Sequence, residues 1–278
     1  MMKAQQYIFS ELTGLYAEPE LQSVARLLLS TCTGLSFTGL LINKNTTFSE
    51  YQWAQLKKMV ELMKSGMPVQ YATGETEFCG LRLEVAPGVL IPRPETEELV
   101  EWAVRSLPPD ARVLDIGTGS GCMAVALQYL RPDCRVMACD VSPEALRQAT
   151  RNARLHKMPV RFFQLDILTD GLPDESWDLI ISNPPYIPHQ ESVSIEPRVK
   201  DFEPAVALFV DNDDPLLFYR RIAGLAKTHL AAGGQLMFET HRSFAADCVE
   251  LLCSQGFSRV ELRKDISGND RMVRACID

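Results

Sequence analysis

The chain has 278 residues, 46% of them hydrophobic, enough for one large domain and a small one. Its net charge is −8, from 36 acidic against 28 basic residues, which disfavours stable binding to a phosphate backbone. No apolar run approaches the roughly 20 residues of a membrane span, no leader pattern opens the chain, and the eight cysteines include no C-x-x-C pair, so the expectation is a soluble, cytoplasmic protein without a disulfide framework or a metal site.

Residues 1–73 read as helices only. Glu18-Pro19-Glu20 places Pro in a first helical turn with acids near the positive end of the helix dipole. Thr47-Phe48-Ser49-Glu50 reads as a capping box ahead of Trp53, Leu56, Met59, Val60 and Met63 at helical spacing. That stripe is read as core, and Gly66 and Pro68 end the helix. The region is therefore a small helical domain suited to docking a partner. Residues 74–92 form a linker: Leu81, Leu83 and Val85 alternate with Arg82 and Glu84, and with Thr76-Glu77-Phe78 before Gly80 they predict a hairpin. Residues 93–278 form the larger domain, and the segment Ile91-Pro92-Arg93-Pro94-Glu95-Thr96-Glu97, which spans the boundary, reads as a proline-bounded helix start.

Within this domain, Arg112 to Gly121 reads as strand, glycine-rich turn and helix start. Glycines at 117, 119 and 121 let the backbone approach a ligand, and a helix N-terminus presents free N–H groups. The spacing differs from the G-x-G-x-x-G that holds a pyrophosphate. Asp115, two residues earlier, would repel a pyrophosphate but can pair with an ammonium group. A tight β–α turn without a ligand is the plain alternative. The strand Arg135 to Asp140 ends in an acid placed to accept from ribose hydroxyls, and Ser142-Pro143 caps the next helix, to about Lys157. A third strand, Val160 to Leu165, ends at Asp166, placed to accept from an adenine amino group.

The apolar run Trp177 to Ser182 is a buried strand that stops at Asn183-Pro184-Pro185-Tyr186. Two prolines cannot donate to a ladder, so this backbone offers acceptors. Asn183 adds a side-chain carbonyl and Tyr186 a flat aromatic face. Such a site suits a planar group bearing NH₂, although a simple turn would also use Asn-Pro. Residues 187–213 show little periodicity. Asp214-Pro215 opens a helix, Gly233-Gly234 turns into a strand Gln235 to Glu239, Arg242 to Gln255 is helical, and Ser258 to Glu261 pairs with Arg271 to Ile277 antiparallel. Polar signals at the ends of successive strands converge on one crevice at the carboxyl edge of an open α/β sheet.

Together the glycine turn, Asp140, Asp166 and Asn183-Pro184-Pro185-Tyr186 resemble a class I S-adenosylmethionine-dependent methyltransferase. More narrowly, Pro68-Val69-Gln70-Tyr71, the 74–78 hairpin, Val89 to Glu97, Phe202-Glu203-Pro204, Asp214 to Tyr219 and Asp265 to Arg271 resemble the HemK/PrmC family of protein-(glutamine-N5) methyltransferases acting on class I peptide chain release factors. The resemblance implies a Rossmann-like sheet, mostly parallel with an antiparallel C-terminal strand. It implies S-adenosyl-L-methionine as cofactor and S-adenosyl-L-homocysteine as product. The cofactor set would be Asp115, Gly117, Thr118, Gly119, Ser120, Gly121, Asp140, Asp166, Ile167 and Asn183. The substrate set would be Asn183, Pro184, Pro185 and Tyr186, facing the glutamine of a Gly-Gly-Gln motif. The expected partner is a release factor, met by a monomer, with no stable nucleic acid and no membrane. Ile167 stands where some relatives carry an aromatic, so it packs on adenine without stacking. Glu239-Thr240-His241-Arg242 departs from the family's wording and is given no role. The rival readings are a nucleic-acid base methyltransferase and a non-catalytic interaction protein on the same fold.

Overall fold

The computed structural model describes residues 1–278, which divide into two compact units: Met1–Glu75 with Pro197–Phe202, and Thr76–Glu196 with Glu203–Asp278. The first unit is built from α1 (Met2–Leu12), α2 (Glu18–Thr33), α3 (Phe37–Ile42), α4 (Glu50–Lys64) and α5 (Val69–Thr73). Pro19 sits in the first turn of α2, and Gly34 ends that helix in the left-handed region at φ 69°. Ile8, Leu12, Leu28, Leu56 and Met63 recur at helical spacing and are fully buried together. The capping box lies two residues later than expected. Ser49 accepts from the Gln52 N–H, and Gln52 Oε1 accepts from the Ser49 N–H. Phe48, the residue before this cap, packs on Trp53 with ring centroids 5.7 Å apart, a hydrophobic staple that fixes the start of α4.

The segment Pro197–Phe202 joins this unit through contacts distant in sequence. Arg198 donates to the Leu15 carbonyl at 2.6 Å, and its guanidinium lies 3.9 Å above the centre of the Tyr16 ring. Phe202 covers Gly66. The helical unit therefore includes a piece of chain that the expected boundaries placed in the larger domain.

Next along the chain come β1 (Glu75–Phe78) and β2 (Leu81–Glu84), a two-stranded sheet. Cys79 and Gly80 both have positive φ, 49° and 73°, the backbone that a two-residue hairpin turn requires. The expected linker is fastened to the larger unit: Asn152 Oδ1 accepts from the Glu84 N–H at 2.8 Å, and Asn152 and Gln148 side-chain amides donate to the Glu84 carbonyl.

The larger unit continues through α6 (Pro94–Ser106), β3 (Arg112–Ile116), α7 (Cys122–Leu130), β4 (Arg135–Asp140), α8 (Pro143–Leu155), β5 (Arg161–Gln164) and β6 (Trp177–Ser182). After β6, β7 (Ile187–Pro188) is followed by a 3-10 turn, then by α9 (Pro197–Phe202) of the helical unit, α10 (Ala205–Leu208) and β8 (Phe209–Val210). Then come α11 (Leu217–His229), β9 (Leu230–Glu239), α12 (Ala245–Ser254), β10 (Ser258–Lys264) and β11 (Asp270–Cys276). The unpatterned stretch from 187 to 213 is thus largely structured, with β7 and β8 paired in parallel.

Seven strands form one sheet in the order β10-β11-β9-β6-β3-β4-β5. The five from β9 to β5 are parallel, while β11 and β10 are antiparallel to their neighbours. Alternate residues of the central strands feed two cores. Val113, Val136, Leu179 and Ile181 pack with α6 and α7; Leu114, Ile116, Ile180 and Phe238 pack with α11 and α12. Both faces are covered, so the central strands read as continuous apolar runs. The sheet strand β9 starts earlier than the expected Gln235, because Gly233 and Gly234 form an irregularity inside it. Trp177 pairs with Leu230, and the next pair is Leu179 with Gln235. A Cβ at Gly234 would lie 2.8 Å from the Ala231 oxygen, so the bulge requires glycine there.

Candidate active site

From β3 the chain runs outward to β4 and β5, then returns on the other side of β3 as β6. That reversal is a topological switch point, where open α/β sheets part beyond their carboxyl ends. A cavity of about 270 Å³ lies there. It is lined by Gly117, Thr118, Gly119 and Ser120 beyond β3, Asp140 at the end of β4, Asp166 and Ile167 beyond β5, and Asn183, Pro184 and Pro185 beyond β6. Ile116 and Ser182 pair across the switch, and the Ser182 hydroxyl donates to the Ile116 carbonyl at 2.7 Å. The glycine turn and Asn183 are thereby fixed as neighbours.

The turn after β3 is held from β4. The Gly117 and Thr118 N–H groups donate to the Cys139 carbonyl at 2.9 and 3.0 Å, and the Gly119 N–H donates to Asp140 Oδ2 at 2.9 Å. Asp140 Oδ1 accepts from the Ser142 N–H at 2.9 Å. Burial raises the Asp140 pKa, and these backbone donors oppose the rise. Gly117 and Gly119 have φ of 73° and 55°; a Cβ on the first would meet nothing within 4 Å, and on the second only Val89 Cγ1 at 4.0 Å. Their bare backbone forms a cradle open to the cavity.

Two expected cofactor residues sit elsewhere. Gly121 does not line the cavity: its φ of 80° starts α7, and a Cβ there would come within 2.8 Å of Ala149 Cβ. Its glycine allows α7 and α8 to approach closely. Asp115 has no exposed surface and lies on the same face of β3 as Val113, which α7 covers. The Thr118 hydroxyl donates to it at 2.6 Å, so it braces the turn from beneath. Burial pushes its pKa up to about 7, against the Thr118 hydrogen bond and with a further push from the nearby charge of Asp140. Strand alternation is the reason: Asp115 points to the opposite face of the sheet from Leu114 and Ile116, and Ile116 is the β3 residue that reaches the cavity.

Asp166 and Ile167 do reach the cavity. Asp166 Oδ1 accepts from the Leu168 N–H at 3.0 Å, and Arg221 Nε donates to the Ile167 carbonyl at 2.9 Å, fixing the turn that presents the Ile167 side chain.

Asn183, Pro184 and Pro185 line the cavity, but Tyr186 does not. Its ring packs against the core beside α11, and its hydroxyl donates to Glu239 Oε1 at 3.2 Å. Glu239, the last residue of β9, is buried; it also accepts from the Thr96 hydroxyl at 2.5 Å through Oε2. Thr96 Oγ1 in turn lies 3.2 Å from Asn183 Nδ2. Burial raises the Glu239 pKa, opposed by Thr96, the positive charge of Arg271 and Tyr186. Glu239, given no role from the sequence, is thus central to this wall of the site. The one signal it gave was an acid at the end of an apolar strand. Thr96 sat inside the proline-bounded helix start, where nothing in its spacing marked it. Glu203 was also missed as a site residue: buried, it accepts from the Ile91 N–H at 3.1 Å and from Arg93 Nη2 at 2.5 Å, holding another wall.

Comparison with known proteins bears directly on this arrangement. The family model described as "Methyltransferase small domain" matches residues 96–199, and the one described as "PrmC N-terminal domain" matches residues 3–74. The release factor glutamine methyltransferase of Bacteroides thetaiotaomicron is 39% identical over 276 residues, covering 99% of each chain. This chain belongs to the release factor glutamine methyltransferase family. The Flavobacterium psychrophilum relative of the same name is also 39% identical, over 95% of this chain and 94% of its own. A methyltransferase from Pyrococcus furiosus, 20% identical, superposes with a TM-score of 0.54 over 71% of this chain and 89% of its own, a likeness of fold. The methyltransferase domain implies use of S-adenosyl-L-methionine. No helix of the chain is long and apolar enough to cross a membrane.

Proposed function

We propose that this enzyme methylates the side-chain amide nitrogen, N5, of the glutamine in the Gly-Gly-Gln motif of class I peptide chain release factors. The observation that carries this reading is the acceptor pair at Asn183-Pro184, set beside a glycine cradle at the switch point of the sheet. The residues fit S-adenosyl-L-methionine: the open backbone at Gly117 and Gly119 admits a ligand against it, and two acids and an apolar side chain follow at the next strand ends. Gly117, Thr118, Gly119 and Ser120 would hold its amino-acid portion, Asp140 its ribose, and Asp166 with Ile167 its adenine. When bound, it supplies a methyl carbon on a positively charged sulfur and leaves as S-adenosyl-L-homocysteine.

An amide nitrogen is a poor nucleophile, because its lone pair is delocalised into the carbonyl. Asn183 Oδ1 and the Pro184 carbonyl accept its two N–H bonds and aim the nitrogen. As the nitrogen gains positive charge, these acceptors stabilise it more than they stabilise the resting amide, and the methylated nitrogen then sheds one of its protons to solvent to give the neutral N-methyl amide. Holding the amide in line supplies much of the remaining acceleration. Pro185 fixes the backbone beyond this pair, and Tyr186 supports it from behind through Glu239. The helical unit is assigned to docking the release factor. Phe37, Leu41 and Ile42 on α3 are exposed apolar side chains, which supports that assignment. The eight free cysteines support a reducing compartment such as the cytoplasm.

The test is transfer of label from S-adenosyl-L-methionine to purified release factor by the wild type and Asn183→Ala. The wild type labels the factor, and the variant loses at least about 100-fold in turnover. Near-normal turnover by Asn183→Ala would remove the mechanism.

A further inference from the structure

An asparagine amide has two ends of nearly equal shape, and only one can accept a hydrogen bond. Asn183 can serve a substrate NH₂ only if Oδ1, not Nδ2, faces the cavity. The energetic difference between the two flips is set by whatever touches the inner end of the amide. In this enzyme that group is the Thr96 hydroxyl, 3.2 Å from Nδ2.

A hydroxyl has a single proton. The Thr96 proton goes to Glu239 Oε2 at 2.5 Å, and Glu239 Oε1 receives a second hydroxyl proton from Tyr186 at 3.2 Å. Burial favours the protonated form of Glu239, but both its oxygens are taken by hydroxyl donors and the positive charge of Arg271 also opposes that push, so the geometry makes it the acceptor. Thr96 Oγ1 is left with lone pairs alone toward Asn183, so only Nδ2 can stand against it. Thr96 and Glu239 are buried, although Thr96 borders the cavity, so each depends on its protein partner rather than on bulk solvent.

We infer that Thr96 and Glu239 are positioning residues that lock the Asn183 amide with Oδ1 toward the substrate. This rests on the proposed glutamine methylation, and extends it by naming what makes the acceptor an acceptor. The three residues come from α6, β9 and the end of β6, so the relay also ties the helix start to two strand ends. Tyr186 acquires a role in the same relay, by occupying the second carboxylate oxygen of Glu239.

The test compares wild type, Thr96→Val and Thr96→Ser in the full-length enzyme. Val has the shape of Thr without the hydroxyl; Ser keeps the hydroxyl without the methyl group. Methyl transfer is measured at saturating release factor, S-adenosyl-L-methionine affinity by calorimetry, and the Asn183 side-chain amide by ¹⁵N NMR, assigned through its loss in Asn183→Ala. The expected result is a fall in kcat of about 10- to 100-fold for Thr96→Val. Cofactor affinity stays within about twofold, and Thr96→Ser keeps kcat within about threefold of wild type. The Asn183 NH₂ protons exchange slowly in wild type and Thr96→Ser, and quickly in Thr96→Val. Wild-type kcat in Thr96→Val would overturn the inference while leaving the glutamine reading intact. Failure of the wild type to label release factor would overturn that reading instead. The NMR arm then still decides the flip, since identical Asn183 spectra in wild type and Thr96→Val would overturn the lock. Should Thr96→Val not fold, fast exchange of the Asn183 NH₂ in the wild type itself would overturn it.

Discussion

Gly119 and Gly121 are two residues apart on one turn, yet a methyl group added to each meets different surroundings. At Gly119 it points into the cavity; at Gly121 it meets Ala149 Cβ at 2.8 Å and Cα at 2.9 Å. Both have positive φ, so either alanine carries about 1–2 kcal/mol of backbone strain. Gly121→Ala adds overpacking of about 1–3 kcal/mol, and denaturant unfolding is expected to show a loss of about 2–5 kcal/mol. Gly119→Ala is expected to lose less stability but at least about tenfold in S-adenosyl-L-methionine affinity, because the cradle is filled. The reverse pattern would mean the roles of the two glycines are exchanged. Asp115 gives a prediction with a sign. Its folded pKa of about 7 lies above the ordinary 3.8, so the folded protein holds this proton more tightly than the unfolded chain does. Its contribution is therefore most favourable below pH 4, and stability is lost as pH rises from about 4 to about 7. A difference of that size is worth about 4 kcal/mol. Relative to Asp115→Asn, the wild type should lose stability across that window and hold a constant difference above it. A difference independent of pH, measured by denaturant unfolding, would contradict the burial of the carboxylate.

Elements with strong local signals were legible from residues alone. The strand–turn–helix at 112–130, the Ser142-Pro143 start of α8 and the antiparallel final strands each depend on neighbours in sequence. Three things were not legible, because long-range contacts decide them. The Thr96–Glu239 hydrogen bond spans 143 positions, and no local spacing encodes it. The parallel pairing of β7 with β8 is two residues long on each side, too short to show alternation. The assignment of Pro197–Phe202 to the helical unit rests on Arg198 meeting Leu15 and the Tyr16 ring. Asp115 misled for a different reason. Sequence position put it near the turn, and strand alternation turned it away from the ligand edge. A prediction belongs at this scale too. Glu203 clips the segment carrying Leu90, Pro92 and Arg93, all of which line the cavity. Glu203→Ala leaves the Ile91 N–H and the Arg93 guanidinium without that partner, and a stability loss of about 2–3 kcal/mol is expected. Loosening of that wall should also weaken S-adenosyl-L-methionine binding about tenfold. Unchanged affinity in calorimetry would show that the clip does not shape the site.

At the scale of the whole molecule, the acidic balance and the family agree. A net charge of −8 does not suit an enzyme that must hold a nucleic acid to reach a base, although an amino group on adenine or guanine would fit the same acceptors. A release factor needs no such basic face. The cavity of about 270 Å³ is on the scale of small molecules and single side chains, too little surface to select a whole protein. We propose that selection comes from a surface elsewhere, with the exposed apolar side chains of α3 as the candidate. The central claim is chemical: the methyl group goes to the glutamine amide nitrogen of Gly-Gly-Gln. Tandem mass spectrometry of release factor after incubation with this enzyme and S-adenosyl-L-methionine tests it most directly. The predicted spectrum places one methyl group on the side-chain amide of that glutamine and nowhere else. A methyl group on another residue, or an unmodified factor beside methylated nucleic acid, would contradict it.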